Sequence, residues 1–192
     1  MVCLSIIMPT LGRKGLVDAA KAVKWQMEDF DDELSIIYDG KITSWPLPPD
    51  WYHETPRCVE TYETPPTRHW GNFQRDVGIT IARGTHLIFC DDDDRLCNLA
   101  QVREVVKQDP DKLHFFEMTG AGVDYKWLEQ PISEMRGGSC MVVPNDKSKL
   151  VLWGQEFSGS YIKRTLAAFN NEYVLHPDII ICDMRQFSRE PG

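Results

Sequence analysis

The chain has 192 residues, a formal net charge of −8, 42% hydrophobic and 26% charged side chains, which suits one globular domain with a full core. The acidic balance argues against a generally basic nucleic-acid-binding face. No apolar run reaches the roughly 18 residues that would suggest a membrane span, and no signal-peptide pattern opens the chain.

In chain order, Leu4-Ser5-Ile6-Ile7-Met8 is a short apolar strand stopped by Pro9-Thr10-Leu11-Gly12. From Gly15 to Met27, apolar residues at Leu16, Ala19, Ala20, Val23 and Met27 carry the spacing of an amphipathic helix. The acidic cluster Glu28 to Glu33 reads as a solvated connection. Leu34 to Tyr38 is a second strand ending in Asp39-Gly40, and strand, helix, strand implies a parallel βαβ unit. Prolines 46, 48, 49 and 56 with Trp45 and Trp51 mark a long loop, and Arg57 to Tyr62 a third strand.

Gly71 to Ala82 reads as a helix with Phe73, Val77 and Ile81 on one face, ended by Gly84. Leu87 to Cys90 follows as a strand without alternating polarity, hence buried on both faces. Asn98 is the expected cap of a helix containing Leu99, Val102, Val105 and Val106. Beyond Pro110 the pattern loosens: strands over Leu113 to Met118 and Cys140 to Val143, helical spacing over Tyr161 to Phe169, then two strand-like pieces split by His176-Pro177-Asp178. The six cysteines include no C-x-x-C pair. Cys3, Cys90, Cys140 and Cys182 lie in apolar runs, so free thiols in a reducing, cytoplasmic setting are expected.

The strand Leu87 to Cys90 ends in four consecutive carboxylates, Asp91-Asp92-Asp93-Asp94. Two unit charges about 4 Å apart repel by roughly 4 kcal/mol at an effective dielectric near 20, so a cation belongs beside them. Oxygen ligands favour Mg²⁺ or Mn²⁺, held by one or two carboxylates and completed by substrate phosphates. A plain solvated acidic loop is the alternative, and the buried strand in front of it weighs against that.

These pieces resemble family-2 glycosyltransferases of the GT-A fold. The resemblance rests on Leu4 to Thr10 with Arg13, on Asp39-Gly40, on Gly71-Asn72 through Arg75-Asp76-Val77-Gly78-Ile79 to Ala82-Arg83-Gly84, and on Leu87 to Asp94 as apolar strand plus D-x-D-D. It covers roughly residues 4 to 100 and implies an α/β, Rossmann-like three-layer sandwich with a mostly parallel central sheet. Residues 1–192 then form a single domain, about 1–100 its nucleotide-binding half and about 101–192 its acceptor and catalytic half.

By the same resemblance Asp39 accepts from the nucleotide base, while Pro9, Thr10, Arg13 and Arg75 line the nucleotide pocket. Asp91 and Asp92 face the nucleotide sugar, and Asp91, Asp93 and Asp94 hold Mn²⁺ or Mg²⁺ with His176 as a late ligand. Gly137-Gly138 stands for a glycine-rich loop. Glu156 is the candidate base, with Asp183 and Asp178 in reserve, although Phe157 replaces the acid of the family's x-E-D motif. Trp127 and Trp153 either offer a face to a sugar ring or belong to the core or rim.

The activity implied is metal-dependent transfer from a nucleotide-diphosphate sugar, UDP-sugars favoured, to an acceptor hydroxyl with inversion. The acceptor, a glycan, a small molecule or a nucleic-acid base, is open. Recognition of it falls to loops or to an oligomeric partner, including a second copy. An aspartate-motif phosphatase or nucleotidyltransferase leaves Asp39 and Arg75 unexplained, and a non-catalytic nucleotide-sugar-binding module is the reading suggested by Phe157.

Overall fold

The computed structural model describes residues 2–13, 15–27, 31–42, 59–67, 71–120, 138–155 and 158–184. Outside them lie Glu156, Phe157, Trp127, Gly137 and the proline-rich loop with Trp45 and Trp51.

The elements in order are β1 (Leu4–Thr10), α1 (Leu16–Lys24), β2 (Glu33–Asp39), β3 (Val59–Thr64), α2 (Asn72–Ile81), β4 (His86–Phe89), β5 (Arg95–Leu96), α3 (Leu99–Val106), β6 (Leu113–Gly120), a 3₁₀ turn (Gly138–Cys140), β7 (Met141–Pro144), α4 (Ser158–Ala168) and β8 (Tyr173–Met184). They build one sheet ordered β3-β2-β1-β4-β7-β6-β8-β5. The first four strands are mutually parallel. β7 then runs antiparallel between β4 and β6, and β5 antiparallel to β8. The sheet is therefore mixed, and the mostly parallel arrangement read from the sequence holds for its first half. There β1, β2 and β3 are each followed by a connection that brings the chain back in the same direction.

Leu4, Ile6, Ile7, Met8, Leu34, Ile36, Ile37, Leu87 and Ile88 are all fully buried, as strands covered on both faces require. Helix α1 buries Leu16, Ala19, Ala20, Ala22 and Val23, largely the stripe its spacing predicts.

Helix α2 departs from its spacing. It buries Asn72, Gln74, Arg75, Gly78 and Ile79 and leaves Phe73 40% exposed. Gly78 is the reason it can turn this face inward. A Cβ there would lie 2.3 Å from Ile7 Cγ2, so the helix rides on β1 through a residue without a side chain. The polar residues beside it find partners: Gln74 donates to Thr64 Oγ1, and Arg75 pairs with Asp91.

The cap of α3 also differs. Asn98 is left-handed (φ 56°) and makes no side-chain cap; its amide donates to Ile180 O at 2.8 Å. Gln26, at the end of α1, does the capping instead. Its Oε1 accepts from Leu99 N–H at 3.1 Å while its Nε2 donates to Ala22 O and Leu96 O. Beside it, Arg103 and Asp32 form a buried ion pair, and Asp32 also accepts from Leu4 N–H at 2.8 Å.

The two strand-like pieces near the end of the chain are one strand. β8 pairs with β6 at Phe116↔His176 and resumes at Glu117↔Ile180. Pro177-Asp178-Ile179 is thus accommodated as an irregularity in a continuous strand, where a proline that donates no N–H is tolerated.

Candidate functional site

β1 is flanked by β2 on one side and by β4 on the other, because the chain builds outward through β2 to β3 and then crosses back over to place β4 on the opposite side of β1. At such a topological switch point the carboxyl ends of the strands leave a crevice. Here it is a cavity of about 330 Å³. Four stretches of chain wall it: Pro9, Thr10, Leu11 and Arg13 at and after the end of β1, Asp39 closing β2, Gly71 and Arg75 at the start of α2, and Asp91, Asp92 and Asp93 after β4.

Local chemistry fixes each wall. The Thr10 hydroxyl donates to Asp92 Oδ2 at 2.6 Å and accepts from Gly12 N–H at 2.8 Å, turning the chain sharply after β1. Gly12 supports the turn with φ +76°, a left-handed value that a glycine adopts without strain. Asp39 Oδ1 accepts from Thr67 N–H at 2.6 Å, which orients its carboxylate at the mouth of β2. Gly71 is also left-handed (φ +77°), and a Cβ on it would lie 2.7 Å from Pro9 Cβ. Only glycine lets the start of α2 come this close to the end of β1.

The carboxylates are distributed rather than pooled. Asp91 pairs with Arg75, and Asp92 takes Thr10 with Arg13 Nη1 at 3.4 Å. Asp93 takes the same Arg13 nitrogen at 3.3 Å. The turn closes through Asp94 N–H donating to Asp91 O at 3.0 Å. Asp92 is buried, and its carboxyl is raised above the usual carboxylate range, burial outweighing the bond from Thr10. Asp94 is not among the cavity residues. It accepts from Ser139 Oγ at 3.1 Å, and burial, with the charges of Asp91 and Asp93, pushes it up to about 7.

Among the described residues no three His, Cys, Asp or Glu side chains converge as a closed cation cage. The donor set does suit a more open arrangement. Asp91 and Asp93 stand on the cavity wall with side chains 44% and 49% exposed. A magnesium-like ion takes one or two carboxylates of this kind and completes its shell from phosphate and water oxygens.

Arg75 owes its position to Trp153. Its guanidinium lies 4.6 Å from the indole centroid, and the indole stacks on Tyr161 at 4.1 Å and meets Phe89 edge-on at 5.3 Å. Trp153 is 1% exposed. It is a buried platform for Arg75 and offers no face to a sugar. Gly138 belongs to the same packing, since a Cβ there would meet Trp153 Cη2 at 2.6 Å; it admits the indole rather than cradling a ligand.

His176 does not join the tetrad. It pairs in the sheet with Phe116, three register positions before the Thr119↔Asp183 pair, so at about 3.3 Å rise per residue it lies roughly 10 Å back along the sheet from Asp183, and it does not line the cavity. Its ring stacks on His114 and Phe116, with Nε2 2.9 Å from His114 Nδ1. Asp183 does reach the same end of the sheet as the tetrad, opposite Arg95, while Asp178 is exposed in the irregular stretch of β8.

Sequence reasoning passes over Asp76, whose carboxylate accepts from Trp153 N–H at 2.6 Å and Gly154 N–H at 3.1 Å. Burial raises its pKa. It ties Trp153 and Gly154 to α2. The available signal is an acid directly adjoining the site arginine, about 100° further round the helix.

No family model and no curated protein sequence matches the chain. Solved structures match its fold. The 1–349 fragment of S. aureus TarS, a glycosyltransferase, aligns with 95% of this chain at a TM-score of 0.75 and 13% identity, both alone and in complex with UDP. The same fragment in complex with UDP-GlcNAc aligns with 98% of this chain at 0.72, again at 13% identity. The chain spans 60% of the length of those TarS fragments. At this identity the likeness is one of fold, and sites carry function independently of fold.

Proposed function

We propose that the chain is a metal-dependent glycosyltransferase that moves a sugar from a nucleotide-diphosphate sugar, UDP-sugars favoured, to an acceptor hydroxyl with inversion. The observation that carries this reading is the convergence of Thr10, Arg13, Asp39, Arg75, Asp91 and Asp93 on one switch-point cavity from stretches far apart in sequence. The fold shared with a protein crystallised with UDP and with UDP-GlcNAc supports it.

The cavity lining supports the following roles. Asp39, held by Thr67, accepts from the base. Asp91 and Asp93, which line the same cavity, are the residues that would hold Mn²⁺ or Mg²⁺ against the diphosphate. The metal's chemistry there is that of a Lewis acid for the leaving group. Arg75, fixed on Trp153, and Arg13 supply preorganised positive charge where the departing diphosphate gains negative charge as the glycosidic bond breaks. Glu156, two residues after Gly154 in the sequence, is the candidate for taking the proton of the acceptor hydroxyl.

The test is a thermal-shift panel of nucleoside diphosphates with and without Mn²⁺. At a ligand concentration of 100 Kd, binding to the folded state adds about 2.7 kcal/mol. At about 2–4 °C per kcal/mol for a chain of this size, Tm should rise by roughly 5–11 °C. UDP with Mn²⁺ is expected to give this rise and Asp93→Ala to abolish it. A panel in which no nucleotide moves Tm, or in which UDP acts equally with EDTA present, defeats the proposal.

A further inference from the structure

The two arginines of the site are held differently. Arg75 is buried, stacked on Trp153 and hydrogen-bonded to Asn72 Oδ1 at 3.3 Å. The Arg13 side chain is 54% exposed, and a single nitrogen, Nη1, spans Asp92 Oδ1 at 3.4 Å and Asp93 Oδ2 at 3.3 Å. Charge-assisted bonds of this kind are usually about 2.7–2.9 Å. Both Arg13 contacts are therefore long, on a side chain with room to move, and one of them occupies a carboxylate that the function proposed above gives to the metal.

We propose that Arg13 is an exchange residue. In the ligand-free chain it neutralises Asp92 and Asp93; when the donor arrives, its guanidinium transfers to the diphosphate and leaves the Asp93 carboxylate to the divalent ion. No covalent bond changes. The two long contacts of Arg13 to Asp92 and Asp93 are replaced by arginine with phosphate and metal with carboxylate. Metal and diphosphate then bind with positive coupling, because each removes Arg13 from competition for the other's partner, and such coupling is reciprocal. Asp92 stays in place throughout, held by Thr10 at 2.6 Å. Arg75 keeps its pairing because its burial and its stack on Trp153 oppose movement.

This inference rests on the donor reading, and its signature is a pair of opposite changes in binding measured without turnover. Mn²⁺ affinity is read from the free-ion electron paramagnetic resonance signal, and UDP affinity from calorimetry in EDTA. In Arg13→Gln, Mn²⁺ alone should bind about fivefold tighter than in the wild type, the scale of releasing a half-exposed ion pair. UDP in EDTA should bind more weakly, and the tightening of Mn²⁺ by UDP should shrink. Uridine, which has no diphosphate, should not tighten Mn²⁺ in either protein. If Arg13→Gln leaves metal-only affinity unchanged while UDP binding weakens, Arg13 is a phosphate contact alone and the exchange is overturned. Tighter Mn²⁺ with unchanged UDP makes Arg13 a neutraliser alone, which overturns the exchange equally. A wild type that binds Mn²⁺ but no UDP in either condition refutes the donor reading as well.

Discussion

The contact between α2 and β1 sets the position of two cavity walls, and replacing Gly78 with alanine probes it directly. An alanine Cβ would lie 2.3 Å from Ile7 Cγ2, 2.9 Å from Ile7 Cγ1 and 3.1 Å from Ile37 Cδ1. Ordinary carbon contacts begin near 3.5 Å, so about 1.2 Å of overlap has to be relieved at the closest point. Ile7 and Ile37 are both fully buried and have nowhere to go. Overpacking of this kind costs about 1–3 kcal/mol, and two simultaneous clashes place this site near the upper end. Exchanging a helix-interior glycine for alanine returns roughly 0.8–1 kcal/mol. The net expectation is a loss of about 2 kcal/mol, or some 4–8 °C in Tm.

Urea unfolding of Gly78→Ala, of Ile7→Ala and of the double variant measures this. Ile7→Ala alone should cost about 2–5 kcal/mol by leaving a cavity, which the new methyl group partly fills. The double variant should therefore be about 2 kcal/mol more stable than additivity predicts. Because α2 carries Gly71 and Arg75 into the cavity, Gly78→Ala should also weaken UDP binding, and Ile7→Ala should partly restore it. A stabilising or neutral Gly78→Ala, or strict additivity with Ile7→Ala, refutes the packing argument.

Two further outcomes concern groups away from the cavity. Arg103→Met strands Asp32, which is 1% exposed, as an unpaired buried anion; a loss of about 3–5 kcal/mol is expected in urea, and a loss below about 1 kcal/mol would show that water reaches the pair. The second outcome depends on pH. His86, His114 and His176 all have pKa values lowered chiefly by burial. As pH falls below the unfolded value near 6.5, the unfolded chain takes up these protons first. Their stabilising contribution is therefore complete above that pH and is lost between it and the lower folded values. Raised carboxyls such as Asp94 act in the opposite sense, so the informative quantity is a difference. His114→Gln should lose less stability than the wild type between pH 7 and pH 5, and parallel pH profiles would show that His114 does not contribute.

Much of the frame was legible because it depends on local periodicity. β1, β2, β4 and α1 lie where apolar runs and 3–4 spacing place them, and the tetrad begins directly after β4. The reading fails where a buried surface is polar. Phe73, Val77 and Ile81 form the most apolar stripe of α2, yet the buried face includes Asn72, Gln74 and Arg75. Hydrophobic periodicity reports the cheapest face to bury, and a helix that delivers an arginine to a site departs from it. Two other relations lie beyond local periodicity. His176 pairs with Phe116 in β8 and does not line the cavity, and Trp153 takes the core alternative, committed to Arg75 by a stack formed only once α2, α4 and the residues before α4 assemble.

The electrostatic premise drawn from the four carboxylates changes meaning in the folded chain. Read along the sequence, their mutual repulsion demands an external cation. In the fold part of the charge is already compensated, by an arginine 80 residues before Asp93 and another 16 residues before Asp91. Burial pushes the Asp94 carboxyl up to about 7, which lowers its share of the negative charge near neutral pH. A divalent ion is then a competitor for partners the protein has already supplied, and its binding free energy is the surplus over those pairings. A site of this kind can be structurally complete before any ligand arrives and still respond to one, provided at least one internal cation is loosely held. Burial and stacking exclude Arg75 from that part, which leaves it to the half-exposed Arg13.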